Sequence, residues 1–327
     1  MGYEYHSTTA YHTRVINTLG WELTLCNALE PQDSPCRTLL EHPASYGALL
    51  HGFLSPFLPP QRAHSIIEIG GGYGFLMRDF LGRQDFERIV MVDVAPFLIE
   101  QQKKTIPCRG IEYRCEDFLE TPGQCLDGLD IAIMNENLGD FPTLTGLDSN
   151  RLDQSPEDLS PLEREAARYR AIYGLRSPGK TDYTMNIGAL CALEKLCLAE
   201  IPLIYVAEHS CEAQLPDALR GFMTLRASGN PERIALYGHS EFTIRFSDLE
   251  AMSRSLGYAV RRGPIADFLP WKRCKSIISK LRSPVAINDQ DEIVRQFIGD
   301  LYQYEYLVLI RHIPLREVRR RCPEKPW

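Results

Sequence analysis

Glu68, Gly70, Gly72 and Gly74 stand at alternate positions of the run Ile66-Ile-Glu-Ile-Gly-Gly-Gly-Tyr-Gly74. Glycines at that spacing let a ligand approach bare backbone amides where a helix begins. Tyr73 lies inside the same loop, where its ring can pack against whatever the loop holds. Asp93 follows about 20 residues later, where a carboxylate grips ribose hydroxyls, with Val94 beside it. Glu116, Asp117 and Phe118 close a third segment, offering an acceptor for an adenine amino group and a ring to stack on the base. Asn135 and Glu136 end a fourth. Together these residues read as a cradle for an adenosyl ligand. A dinucleotide fingerprint is disfavoured, because the small residue it needs at its sixth position is Phe75 here.

The elements that must hold these residues follow from hydrophobic pattern. Ser65 to Ile69 reads as a buried strand, and Phe75, Leu76, Phe80 and Leu81 can share one helix face after the glycines. Arg88–Val94, Ile111–Cys115, Leu129–Glu136 and Pro202–Glu208 supply strands two to five, in the strand–helix rhythm of a parallel sheet. About 65 residues separate strands four and five, more than one crossover helix needs. That excess predicts an insertion over 139–184, with a helix at Leu162–Tyr173, placed as a lid or acceptor-recognition segment. Met185–Leu198 is the crossover helix, and Ser247-Asp-Leu-Glu250 reads as a capping box opening another helix that stops at Gly257. Tyr258–Arg261 and Glu305–Ile310 form a closing strand pair. Residues 1–60 read as a helical cover, with Val15, Leu19, Leu23, Leu49 and Phe53 among its apolar positions.

The loop E-x-G-x-G-x-G resembles that of class I S-adenosylmethionine (SAM) methyltransferases. Four segments narrow the resemblance to the MidA-like methyltransferases: Glu68-Ile-Gly-Gly-Gly-Tyr-Gly-Phe-Leu-Met-Arg-Asp-Phe-Leu81; Val92-Asp93 with Gln101 following; Asn135-Glu136 with Pro142; and Met223–Arg226 with Glu241-Phe-Thr and Ser247-Asp-Leu. It spans most of residues 66–250. It departs at Gly139, where the family carries an acid and Asp140 lies one residue on, and at Ala207-Glu-His-Ser210, which replaces Ile-Asp-Tyr-Gly. The resemblance implies a Rossmann-like, mostly parallel seven-stranded α/β sheet, SAM as cofactor, and methylation of a protein arginine. A small-molecule O- or N-methyltransferase, with Tyr169, Tyr173 and Tyr183 lining an enclosed pocket, and a non-catalytic SAM-binding assembly protein are the competing readings.

Methyl transfer is an in-line displacement, so the protein's main work is alignment, helped by a base for the acceptor's proton. Glu136 and Asp140 read as a carboxylate pair able to clamp a planar cation, with Asn135 beside them. His209, next to Glu208, is the candidate base.

Composition bounds the rest. The chain has 327 residues, 44% hydrophobic, enough for one large domain at 61–311 flanked by the cover and a basic tail at 312–327. A net charge of -7 argues against nucleic-acid binding, despite basic stretches at Arg261–Arg282 and Arg316–Arg321. Ten cysteines without a CxxC pair, a start lacking a secretory pattern and no apolar run of membrane-spanning length predict a cytoplasmic protein with reduced thiols. The eight histidines show no metal-ligand spacing, His239-Ser-Glu241 coming nearest, so no metal is expected. The expected partner is the acceptor, protein or small molecule, with a homodimer contact open to the N-terminal cover.

Overall fold

The computed structural model describes residues 3–14, 24–58, 64–179, 181–236, 238–283 and 288–311. The apolar positions Val15, Leu19 and Leu23 and the basic tail lie outside the described residues. Seven strands form the central sheet: β1 (His64–Ile69), β2 (Phe86–Asp93), β3 (Ile111–Cys115), β4 (Ile131–Asn135), β5 (Leu203–His209), β6 (Tyr258–Pro264) and β7 (Tyr304–Arg311). Their spatial order is β6-β7-β5-β4-β1-β2-β3. Strands β1 to β5 pair in parallel, and β7 runs antiparallel between β5 and β6. This is the class I methyltransferase arrangement, with the closing pair where the sequence places it.

Period-two patterning sends each strand's side chains to two separate cores. Ile67, Ala132, Met134, Leu307 and Leu309 face one side, where α4 (Pro161–Tyr173), α5 (Ile187–Leu198) and α6 (Phe246–Ser255) bury Tyr169, Leu193 and Phe246. Ile66, Ile131, Ile133, Tyr306 and Val308 face the other. There α1 (Tyr46–Leu54), α2 (Phe75–Leu81), α7 (Lys275–Arg282) and α8 (Asp289–Gln303) bury Leu50, Phe80, Ile277 and Phe297. A further helix, α3 (Pro96–Thr105), follows β2.

Several expectations change. The insertion is built into the body: its strand Thr143–Leu147 pairs with Tyr183–Met185 and with Glu4–His6, so the N-terminal cover contributes a strand as well as helices. Tyr169, Tyr173 and Tyr183 are buried in the core and line none of the cavities at the strand ends. Tyr169 and Tyr173 donate to Glu194, whose buried carboxylate on α5 needs those donors. The capping box is at Ser160 and Glu163, at the start of α4, rather than at Ser247. Ser247 is the second residue of α6, whose N-cap is Arg245, and Glu212 accepts both its backbone N–H and its hydroxyl. Helix α8 was unforeseen, although Asn288 caps it, acids fill its first turn, and Val294, Phe297, Ile298 and Leu301 form its apolar stripe. Among the described residues no helix is long and apolar enough to cross a membrane.

Candidate functional site

The strand order reverses between β1 and β4, which opens a crevice at the carboxyl ends of the parallel strands. The glycine loop lies there. Gly70, Gly72 and Gly74 have φ of 66°, 52° and 83°, a left-handed backbone that costs other residues roughly 1–2 kcal/mol each. The three serve different ends. A Cβ on Gly70 would overlap the Asn137 side-chain amide, and one on Gly74 would press on the Gln102 backbone at 3.2 Å. A Cβ on Gly72 would meet nothing within 4 Å, so this position borders open space. Gly74 then caps α2.

Two lobes adjoin at Gly70. The first is lined by Thr8, Thr9, Asp93, Val94, Glu116, Asp117, Phe118 and Asn137, uniting the residues expected to hold ribose and adenine. The buried Asp93 carboxylate accepts from the Ala95 N–H and the Gln102 amide at 2.9 and 3.1 Å. Burial pushes its pKa up to about 6, against the pull of those bonds. The glutamine that serves the loop is therefore Gln102, which also donates to the Gly72 carbonyl, and not Gln101. Asp117 accepts from the Leu119 N–H and the Thr9 hydroxyl, and Glu116 from Thr121. The second lobe is lined by Glu68, Gly70–Tyr73, Asn135, Glu136, Thr24 and Cys26. Tyr73 stacks on Phe75 with ring centroids 5.8 Å apart. Burial, with Asp93 nearby, raises Glu68 to about 8, and its Oε2 has no partner among the described residues.

Asn135 and Glu136 are held rather than displayed. The Asn135 carbonyl accepts from the Tyr46 hydroxyl at 2.6 Å, and its amide donates to Glu136. Glu136 has φ of 55°, and its carboxylate accepts the backbone N–H groups of Leu25 and Cys26 at 2.8 and 3.2 Å. Burial, then the charge of Glu208, raises its pKa to about 8. The side chain expected to grip an acceptor thus anchors the N-terminal cover. Packing requires glycine at 139: a Cβ there would sit 2.8 Å from the Phe242 carbonyl.

A third cavity, of about 220 Å³, shares Glu136 and Thr24 with the second lobe and Asp140 with the first. Glu136, Asp140, Glu208, Glu241 and Asp300 line it, with His209 and His239 but no lysine or arginine among the described residues. Asp300, from α8, is raised to about 6 by burial. His209 packs its ring on Tyr304 at 3.8 Å and sits 3.5 Å from the Glu208 carboxylate. Burial pulls its pKa down, but Glu208 prevails and raises it. Asp140 faces His12 at 2.8 Å and His239 at 3.9 Å. Thr8, His12, Asn137, Gln102, Glu241 and Asp300 were missed as site residues. The His239/Glu241 pair was the one visible trace; the others sit in segments that carry no chemical spacing.

No protein-family model matches the chain, and no curated protein matches it. Among solved structures, a COG1565 superfamily protein from Burkholderia thailandensis is similar at a TM-score of 0.51 and 13% identity, covering 94% of this chain and 87% of that one. The methyltransferase-like partner of the Haloferax volcanii Trm112 activator is similar at a TM-score of 0.44 and 12% identity, over 81% and 90% of the two chains. The magnesium protoporphyrin IX methyltransferase of Synechocystis PCC 6803, solved with SAM, gives 0.38 and 8%, over 81% and 76%. At such identities the likeness is one of fold.

Proposed function

We propose that this protein is a SAM-dependent methyltransferase whose acceptor is a cationic nitrogen group, a protein arginine side chain foremost. The fit to the cofactor rests on the cradle. Gly72 leaves open space a side chain would fill, and Glu68 Oε2 and Asn137 Oδ1 are buried polar atoms without partners among the described residues, one in each lobe. Asp93 would accept the ribose hydroxyls, Asp117 or Glu116 the adenine amine, and Phe118 would stack on the base. Bound SAM supplies an electrophilic methyl group, which is transferred as the bond to sulfur breaks.

The observation that carries the acceptor reading is the acidic cavity beside the second lobe. Carboxylates without a lysine or arginine among them attract a cation and fix a planar one through paired hydrogen bonds. The MidA-like resemblance points to the same acceptor. Transfer to a guanidinium nitrogen releases one proton, and His209 can receive it because Glu208 stabilises the resulting imidazolium. Glu136 acts as a positioning residue by pinning Leu25 and Cys26 over the junction of the two cavities. The test is incubation with methyl-labelled SAM and fractionated lysate, followed by acid hydrolysis. Label recovered as methylarginine from protein supports the reading. Label in small molecules, or in an uncharged oxygen acceptor, overturns the acceptor assignment.

A further inference from the structure

His12, Asp140 and His239 come from three distant parts of the chain, yet one donor atom from each lies within 4.8 Å of the other two. The separations are specific. His12 Nε2 is 2.8 Å from Asp140 Oδ1, His239 Nε2 is 3.9 Å from the same oxygen, and His239 Nε2 is 3.2 Å from Glu241 Oε1. Donors bonded at about 2.0–2.1 Å around a tetrahedral zinc stand roughly 3.3 Å apart, and these values bracket that edge. The rings are also pre-oriented. Tyr11 stacks on His239 at 4.3 Å and 17°, and the two imidazoles meet edge to face at 5.2 Å. His12 is buried and the His239 side chain is 9% exposed, so few waters compete for these nitrogens.

We propose that His12, His239 and Asp140, with Glu241 as fourth donor, form a binding site for a divalent transition metal ion, zinc foremost. Two imidazoles and carboxylate oxygens are the donor set such an ion prefers over magnesium or calcium. The site stands in the wall between the adenosine lobe and the acidic cavity, since Asp140 lines both. An ion there would clasp the N-terminal cover, through His12, to the loop after β4 and to the hairpin of strands Arg233–Ala235 and Ser240–Phe242, whose turn carries His239. It would neutralise Asp140 and Glu241 while leaving Glu208 and Asp300 to a cationic acceptor. The proposal does not depend on the cofactor reading.

The test uses the full chain without a polyhistidine tag and without SAM. Zinc retention is measured after dialysis, affinity by competition with a chromophoric chelator, and geometry by the visible spectrum of the cobalt-substituted protein. The expected result is one equivalent retained, an intense tetrahedral cobalt spectrum, and affinity weakened about 100-fold or more in His239→Ala and His12→Ala. His6→Ala, outside the cluster, leaves affinity unchanged. Glu241→Gln serves if the histidine variants fail to fold, and is expected to weaken binding while keeping near-ultraviolet dichroism. No retention by the wild type, a weak octahedral cobalt spectrum, or equal affinity in the folded variants overturns the proposal.

Discussion

Gly70 and Gly72 can be told apart by adding one methyl group to each. Both have a left-handed backbone, so alanine at either position costs about 1–2 kcal/mol of fold stability. Gly70→Ala also drives its Cβ into Asn137, whose amide donates to the Ile69 carbonyl at the end of β1. Overpacking of that kind adds about 1–3 kcal/mol, so the total loss for Gly70→Ala is about 2–5 kcal/mol. Gly72→Ala has no such neighbour and loses only the conformational part. Its methyl group instead enters the space assigned to the ligand, which should weaken binding of S-adenosylhomocysteine by at least about tenfold, or 1.4 kcal/mol. Urea denaturation measures the first quantity and titration calorimetry the second. The reasoning fails if Gly72→Ala binds like the wild type, or if the two variants lose equal stability and equal affinity.

Three further outcomes are expected. Affinity for S-adenosylhomocysteine should fall as pH drops through about 6, where Asp93 takes up a proton, because ribose hydroxyls donate to its charged form; Asp93→Asn should be weaker and pH-insensitive in the same calorimetric series. Glu136→Ala leaves the Leu25 and Cys26 N–H groups without their acceptor, so denaturation should show a loss of about 1–3 kcal/mol, with turnover falling more than cofactor affinity. Glu68 and Glu136 keep protons in the folded state up to about pH 8 but release them above about 4.5 when unfolded. Their contribution is therefore fully present below pH 4.5 and is lost as pH rises through 8, so the melting temperature of ligand-free protein should decline over that window and decline less in Glu68→Gln.

The sheet was legible because buried parallel strands carry long apolar runs, and all five parallel strands lie within a few residues of where Ile66, Ile89, Ile111, Ile131 and Ile204 announce them. The two lobes that meet at Gly70 were legible for a related reason: glycines and acids at strand ends keep a fixed spacing along the chain. The acidic cavity was not. It is assembled from the ends of β4 and β5, a hairpin and α8, and nothing in sequence spacing brings Asp300 or Glu241 to Glu136. Glu136 itself misled, because an acid at a strand end reads the same whether it faces a ligand or backbone amides. Pattern alone does not say which of Gln101 and Gln102 turns inward; Gln102 is fully buried.

The leading segment is stitched across the crevice by a short series of bonds: Thr8 to the Asp140 carbonyl, Thr9 to Asp117, His12 to Asp140, and the amides of Leu25 and Cys26 to Glu136. These bonds border both lobes of the crevice, so a guest bound there would lie against them. Solvent exchange at the Leu25 and Cys26 amides, which Glu136 holds, is therefore expected to slow when S-adenosylhomocysteine fills the crevice.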